Sequence, residues 1–335
     1  MFIDVKKAHL IPRCEEDVYV ELPEEAKCQG NECGKLVHWL YGCRKAGQAW
    51  EDHYAGVLTR AGFNRGRASP VSFYHPGREL WCVVHGDDFT FKGHDDDLDF
   101  AAGILREEYE LKIRGRLGSG PGDCKEMDIL GRIIKLESRG CTWQADPRHR
   151  KLVIEHFGFN ERTKALTTTG NKSTSKEEEQ DEILLTKLEA TQFRAVTARL
   201  NSLALDCPNI QFATKEISRE MSSPTTKSHE KLKRLARYLL SFLAVKLYYR
   251  WQCDSGITLD VHTDSDWAGC VRTRRSTSGG SIQLGRHTLR TWSSTQRTVA
   301  MSSAEAEIMH SSSMECNEVL VFRRCWRNLE LRSKW

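Results

Sequence analysis

Apolar and polar positions along the chain follow two periods, and the changeovers between them mark the elements. Short apolar or alternating runs predict strands at Phe2–Val5, Val18–Leu22, Val71–His75 and Glu79–Val84, with another alternating run at Phe89 and Phe91. Ala46, Ala49, Trp50, Tyr54, Val57 and Leu58 fall on one helical face, so Lys45–Ala61 predicts a helix that Gly62 caps. A second helix is expected after the strands, capped by one of Asp95–Asp97, with Leu98, Phe100, Ile104, Leu105 and Tyr109 inward. Leu111–Leu117 and Met127–Leu136 read as strands separated by a Gly/Pro-rich loop. Asp146-Pro147 is an N-cap and first-turn pair that opens a helix ending at Gly158.

The pattern then breaks. Asn160–Asp181 is polar, charged and poor in apolar residues, which predicts a linker or flexible loop. Helices resume over Leu184–Leu205, from Pro208 through Met221, and over Ser228–Leu243. In the last of these, Leu232, Leu235, Leu239 and Leu240 lie largely opposite Lys231, Lys233, Arg234 and Arg237. Strands return at Val245–Trp251, Ile257–Thr263, Ser281–Leu284 and Leu289–Trp292, and a final helix is expected from about Ala304. No stretch of 18 apolar residues occurs, so no membrane span is predicted.

Candidate chemistry enters at Glu79–Lys92. The run Leu80–Val84 leads into Gly86 and two adjacent carboxylates, Asp87 and Asp88, and a second strand leaves them. Neighbouring aspartates repel one another, and a divalent cation such as Mg²⁺ relieves that repulsion, because carboxylate oxygens are hard ligands. Gly86 is expected to permit the tight turn rather than to touch a ligand. Two further acids stand at strand ends: Asp4 after Phe2-Ile3, and Asp264 after Val261-His-Thr263. Two-metal phosphoryl transfer needs such carboxylates from separate strands, converging on cations about 3.5–4 Å apart. Asp4 with Asp87 makes one candidate site, and Asp264 with Glu305 or Glu307 of the final helix makes another.

Charge and cysteine content refine this only slightly. The net charge is +4, with acidic islands at Asp95–Asp97 and Glu177–Glu179 and basic clusters in the later third, which a polyanion could face. Twelve cysteines with no apolar leader at the N-terminus argue for reduced thiols in an intracellular protein. The evenly spaced Cys28, Cys33, His38 and Cys43 raise a zinc-binding interaction module as an outside alternative.

Several ordered motifs resemble the copia-type LTR-retrotransposon polyprotein, from its reverse transcriptase into its ribonuclease H. Phe2-Ile-Asp-Val-Lys-Lys-Ala-His-Leu10 is similar to the first palm motif, and Tyr19-Val-Glu-Leu-Pro23 to the "YMEQP" segment. Leu40-Tyr-Gly-Cys-Arg-Lys-Ala-Gly-Gln-Ala-Trp50 matches "LYGLKQAPRAW", and His85-Gly-Asp-Asp88 stands where the family has "YVDD". Arg237-Tyr-Leu239 matches the "RYL" helix. Thr263-Asp-Ser-Asp-Trp-Ala-Gly269, Arg275-Ser-Thr-Ser-Gly279 and Ser302-Ser-Ala-Glu-Ala-Glu307 match the nuclease signatures.

The resemblance implies an α+β chain. A reverse-transcriptase palm-like sheet with helices and a following subdomain would occupy 1–158, and a flexible linker 159–183. A helical connection region would occupy 184–252, and a ribonuclease H-like α/β domain 253–335. It implies an RNA-directed DNA polymerase with ribonuclease H, in which Asp4 and Asp87 bind Mg²⁺ (or Mn²⁺) with Asp88 beside them. Asp264 and Glu307 would bind metal in the nuclease; Glu307 is preferred to Glu305 because it fits the family's "AEY". Asp266 is a weaker metal candidate whose other reading is a turn cap, and Tyr41, Trp50 and Trp267 are expected to pack. Implied partners are an RNA template with a DNA primer or RNA–DNA hybrid, dNTPs and other parts of the polyprotein, with no membrane. The implied setting is a cytoplasmic particle or the nucleus.

His85-Gly86 in place of Tyr-Val, and His9 in place of Phe, depart from the family pattern. The family's fingers region and its later nuclease aspartate have no counterpart here. The expectation is therefore two incomplete modules, weak or inactive alone, or a non-catalytic nucleic-acid-binding remnant of a mobile element.

Overall fold

Alternation along Leu80–His85 decides which face of the first sheet is dry: Leu80, Cys82 and Val84 are buried, whereas Val83 and His85 are exposed. The computed structural model describes residues 1–26, 30, 32–170, 183–241, 245–252 and 257–311. Contacts divide the chain into two units, Met1–Cys124 and a second that begins at Lys125. Both are mixed α+β.

The first unit contains β1 (Phe2–Val5), β2 (Tyr19–Glu21), β3 (Cys33–Lys35), α1 (Ala46–Arg60), β4 (Asn64–Arg65) and β5 (Ser72–His75). It continues with β6 (Leu80–His85), β7 (Asp88–Lys92), α2 (Asp95–Glu108) and β8 (Leu111–Gly115). Six strands form one antiparallel sheet in the order β4-β5-β6-β7-β1-β8, and β2 pairs with β3 separately. Ile3, Val5, Leu80, Cys82, Val84, Phe89 and Phe91 form one core with Trp50, Tyr54 and Leu58 of α1 and Leu98, Ala102 and Leu105 of α2. The helices thus cover one face of the sheet. The opposite face carries the intervening side chains, Asp4 and Asp88 among them.

In the second unit, β9 (Glu126–Ile129), β10 (Arg132–Glu137), β11 (Gly140–Ala145) and α3 (Pro147–His156) precede three helices. These are α4 (Lys187–Ala204), α5 (Pro208–Ser218) and α6 (Thr226–Ser241), followed by β12 (Lys246–Arg250). The helices share a core built on Val153, Phe193, Leu200, Ile210, Leu232 and Leu235. Thr186 and Glu189 close a reciprocal capping box at the start of α4. A three-stranded antiparallel meander of β13 (Leu259–Ser265), β14 (Thr277–Leu284) and β15 (His287–Thr295) leads to α7 (Ser303–Ser311).

Four details differ from the sequence reading. Asp95–Asp97 do not cap α2: His94 is its N-cap, without a side-chain bond, and the acids fill the first turn, where they complement the helix dipole. Met127–Leu136 is two strands, because Leu130 and Gly131 both take positive φ (53° and 71°) and make the turn of a hairpin. Strand β11 carries no clear alternation and was not anticipated. It pairs with β12, so residues expected in a first domain and in a separate connection region share one sheet, in the order β12-β11-β10-β9. The division between the units lies at Cys124/Lys125 rather than near residue 158.

The described start of the expected linker is held on α6. The Leu166 N–H donates to the Arg237 carbonyl (3.2 Å), and the Ser241 hydroxyl donates to the Leu166 carbonyl (2.6 Å). Residues 171–182 lie outside the described residues.

Leu200 is fully buried (0% exposed) at the centre of the second core. Leu200→Ala should destabilise the second unit by about 2–5 kcal/mol. Urea unfolding followed by far-UV circular dichroism measures this; a loss below about 1 kcal/mol would mean that α4 does not organise this core.

Candidate active site

The turn between β6 and β7 has two residues, Gly86 and Asp87, between the paired His85 and Asp88. Gly86 takes φ 63° and Asp87 is not on the positive side, the pattern of a type II′ turn with glycine first. A Cβ at Gly86 would meet nothing within 4 Å, so glycine is there for its backbone and not for space. The buried Trp50 of α1 fixes the turn: its indole N–H donates to the Gly86 carbonyl at 2.7 Å, and its ring packs edge-on against Tyr54, Phe89 and Tyr109. Trp50 is therefore the packing residue expected, with a polar handle on the hairpin.

Strand β1 lies beside this hairpin. Asp4 pairs directly with Asp88, and the Val5 N–H donates to the Asp87 carbonyl at 2.9 Å. Residues directly opposite in an antiparallel pair share a face, so the Asp4 and Asp88 carboxylates stand side by side on the face away from α1 and α2, open with respect to those helices. Asp87, in the turn, is exposed. The ladder partner of Asp4 is thus Asp88, while Asp87, expected to share a metal site with Asp4, bonds β1 through its backbone.

Burial raises the Asp88 carboxyl above its ordinary value of 3.8; the Arg114 guanidinium opposes this, and repulsion from Asp87 and Asp4 adds to it. One Asp88 oxygen, Oδ1, is buried with no hydrogen-bond partner. Arg114 on β8 donates from Nη2 to Asp4 Oδ1 at 3.1 Å. Sequence reading missed Arg114. The basic alternation Lys112, Arg114, Arg116 is visible, but the register that aims Arg114 at Asp4 is not.

The second acidic site lies where β13 meets α7. The Ser265 N–H, next to Asp264, donates to Glu307 Oε1 at 3.1 Å, which brings Glu307 to the end of Asp264's strand. Glu305 is used otherwise: its Oε2 accepts from the Met301 N–H (2.6 Å) and its own N–H donates to Ser302 Oγ (3.1 Å), a cap for α7. Asp266 accepts from the Thr277 N–H (2.5 Å) and donates its own N–H to the Thr277 carbonyl (3.1 Å), in keeping with the turn-cap reading. The buried Gln296 ties α7 to the meander, donating to Ser278 Oγ (3.0 Å) and to the Ala306 carbonyl (2.8 Å).

Other expectations fare differently. Tyr41 and Trp267 are not core residues: they are 56% and 54% exposed. Tyr41 lies against His9, and Trp267 donates to the Ala300 carbonyl (3.1 Å). For the zinc alternative, Cys28 lies outside the described residues, and His38 Nδ1 bonds the Ile11 carbonyl (3.0 Å). Among the described residues, no three His, Cys, Asp or Glu side chains are grouped to hold a metal ion by themselves. Mg²⁺ does not need such a cage: one or two carboxylates suffice, with water and phosphate completing the shell. The hard oxygens of Asp4 and Asp88, one of them unpartnered, fit that demand.

These features define a class: an α+β protein with acidic side chains gathered at an antiparallel sheet in each of its units. No protein-family model matches the chain. The Retrovirus-related Pol polyprotein from transposon RE1 of Arabidopsis thaliana is 26% identical over 316 residues, covering 91% of this chain and 20% of that protein. The Retrovirus-related Pol polyprotein from transposon TNT 1-94 of Nicotiana tabacum is 24% identical over a 347-residue alignment, covering 99% of this chain and 25% of that protein. Among solved structures, a prototype foamy virus protease-reverse transcriptase aligns with 97% of this chain and 36% of that chain, at 12% identity and a TM-score of 0.25. A likeness that low carries no argument about arrangement.

Over 91–99% of its length the chain is similar to the retrovirus-related Pol polyproteins of the copia-type transposons RE1, RE2 and TNT 1-94. It spans about a fifth to a quarter of the length of those relatives.

Two outcomes test the hairpin. Trp50→Phe keeps an aromatic ring but loses the indole N–H to the Gly86 carbonyl and part of a buried ring system, so stability should fall by at least about 1–3 kcal/mol in urea unfolding; an unchanged midpoint would remove the bond from the account. Asp88 titrates higher folded than unfolded, so its contribution declines as pH rises from its ordinary value through its raised one. Without divalent cations, Asp88→Asn should therefore raise the melting temperature at pH 7, with the gain shrinking toward pH 4. A gain independent of pH would contradict the assignment.

Proposed function

We propose that the first unit supplies the palm of an RNA-directed DNA polymerase, and that β13–β15 with α7 supply the metal-holding edge of a ribonuclease H. The pairing of Asp4 with Asp88 across β1 and β7, on the open face of the sheet, carries this reading. In the polymerase, Asp4 and Asp88 offer carboxylate oxygens on adjacent strands, and Asp87 stands at the rim of the turn. Bound Mg²⁺ or Mn²⁺ would supply acidification of the attacking hydroxyl and charge neutralisation at the leaving oxygen. The protein's part is positional: Trp50 and the Val5 N–H fix the hairpin on both sides, so the carboxylates do not have to be ordered when substrate arrives. In the nuclease, Asp264 and Glu307 would play the same part.

The substrates on this reading are an RNA template with a DNA primer, dNTPs, and an RNA–DNA hybrid, with other polyprotein segments as partners. A cytoplasmic particle or the nucleus is the setting that goes with them. The alternative, a non-catalytic nucleic-acid-binding remnant, would draw on the basic face of the nuclease part, where Arg272, Arg274 and Arg275 are exposed.

Extension of a DNA primer on an RNA template with Mg²⁺ tests the proposal. Incorporation should fall by at least about 100-fold in Asp4→Asn, since losing even an outer-shell partner of a metal costs up to that much. Cleavage of the RNA strand of a hybrid should fall in Asp264→Asn and in Glu307→Gln, and not in Glu305→Gln beyond its effect on folding. No incorporation by the unaltered chain, together with steeply salt-dependent RNA binding that survives Asp4→Asn, would favour the remnant instead.

A further inference from the structure

Strand β8 does not run in simple register with β1. Ile113 pairs with Ile3 but Gly115 pairs with Phe2, so Arg114 is the extra residue of a β-bulge. Bulges re-aim side chains, and this one carries a guanidinium to the acidic face. Arg114 Nη2 reaches Asp4 Oδ1 at 3.1 Å, and its guanidinium carbon lies 5.4 Å from the centre of the Phe2 ring. Lys112, although directly opposite Asp4 in the ladder, is not the residue that pairs with it. Arg114 is itself exposed, so it can leave Asp4 without opening the core.

The charge balance gives this pair a role. Asp4, Asp87 and Asp88 place three carboxylates at one end of the sheet, and all three act on the Arg114 guanidinium. Arg114 occupies Asp4 Oδ1, the same kind of oxygen that a hard cation takes. A guanidinium and a divalent cation cannot share that oxygen at contact distance without strong repulsion.

We propose that Arg114 is a built-in counter-ion of the acidic cluster, and that a divalent cation must displace it from Asp4. This rests on the reading that Asp4 and Asp88 hold the cation. Without the cation, the ion pair keeps the like charges of β1 and β7 in register. With the cation bound, the pair is redundant and Arg114 swings into solvent or toward the anionic groups that the cation brings. Arg114 is thus a positioning residue that sets the threshold cation concentration for the site.

Binding of Mn²⁺ alone to the full chain, followed by the electron paramagnetic resonance signal of the free ion, tests this without any turnover. Arg114→Gln should bind Mn²⁺ about fivefold more tightly, the ratio corresponding to roughly 1 kcal/mol of displaced, partly exposed ion pair. In EDTA the same variant should melt below the unaltered protein, and saturating Mn²⁺ should close that gap. Should Arg114→Gln not fold, Arg114→Lys keeps the charge but loses the planar fork, and should bind Mn²⁺ more tightly by a smaller factor. Equal or weaker affinity in the Arg114 variants, with binding still abolished by Asp4→Asn, overturns the inference and leaves the metal-holding reading intact. Absence of Mn²⁺ binding in every form overturns both.

Discussion

Two carboxylates held side by side on neighbouring strands are the constraint on which the first unit depends. Asp4 and Asp88 repel each other, and the ladder between β1 and β7 still brings them directly opposite. What compensates is on the other face. Ile3, Val5, Phe89 and Phe91 belong to one apolar core with α1 and α2, and slipping the register by one residue would turn them to the open face. At about 25 cal/mol per Å² of apolar surface buried, four such side chains outweigh one half-buried like-charge pair. Burial thus fixes the strand pairing, and the pairing fixes the acids.

The hairpin needs more than burial, because a turn exposes polar backbone. Trp50 satisfies the Gly86 carbonyl from below and the Val5 N–H satisfies the Asp87 carbonyl from the side. The motif Leu40–Trp50 and the Gly-Asp-Asp turn are therefore one structural device, although 36 residues separate Trp50 from Gly86. The second unit solves a similar problem differently. There Gln296, buried, ties α7 to the meander, and Glu307 closes on the Ser265 N–H.

Most elements of both units could be read from periodicity, since their apolar faces are long enough to show it: α1, α2, α4 and α6 fall close to their expected spans. What could not be read was set by backbone conformation or by pairing. Leu130 is not a turn residue by type, yet it takes φ 53° in the β9–β10 turn. Strand β11 gains its place from the strands on either side rather than from its own pattern. Among the acids, Asp4, Asp88, Asp264 and Glu307 were legible as candidates, but which aspartate of the pair faces Asp4 was not. The sequence Gly86-Asp87-Asp88 is compatible with either, and the two-residue turn decides. Arg114 was invisible for the same reason, since a bulge leaves no mark in composition.

The three acidic motifs each place their acids in different surroundings, and the difference follows from geometry alone. In Ser302-Ser-Ala-Glu-Ala-Glu307, Glu305 lies three residues after Ser302 and is claimed by the helix start, whereas Glu307 is carried round to the strand end. In Asp264-Ser-Asp266, Asp266 is claimed by the Thr277 N–H of the adjoining strand, and no such bond ties Asp264 among the described contacts. In Gly86-Asp87-Asp88, Asp87 gives its carbonyl to β1, and Asp88 keeps an unpartnered oxygen. A carboxylate oxygen that accepts a backbone N–H has one of its lone pairs committed to the scaffold, while the other oxygen keeps both. Glu305 and Asp266 are thus bonded through their side chains to backbone N–H groups, whereas the Asp87 carboxylate is exposed and only its backbone carbonyl ties it to β1. Glu307 is bonded likewise: one of its oxygens accepts from the Ser265 N–H, which ties α7 to the end of β13.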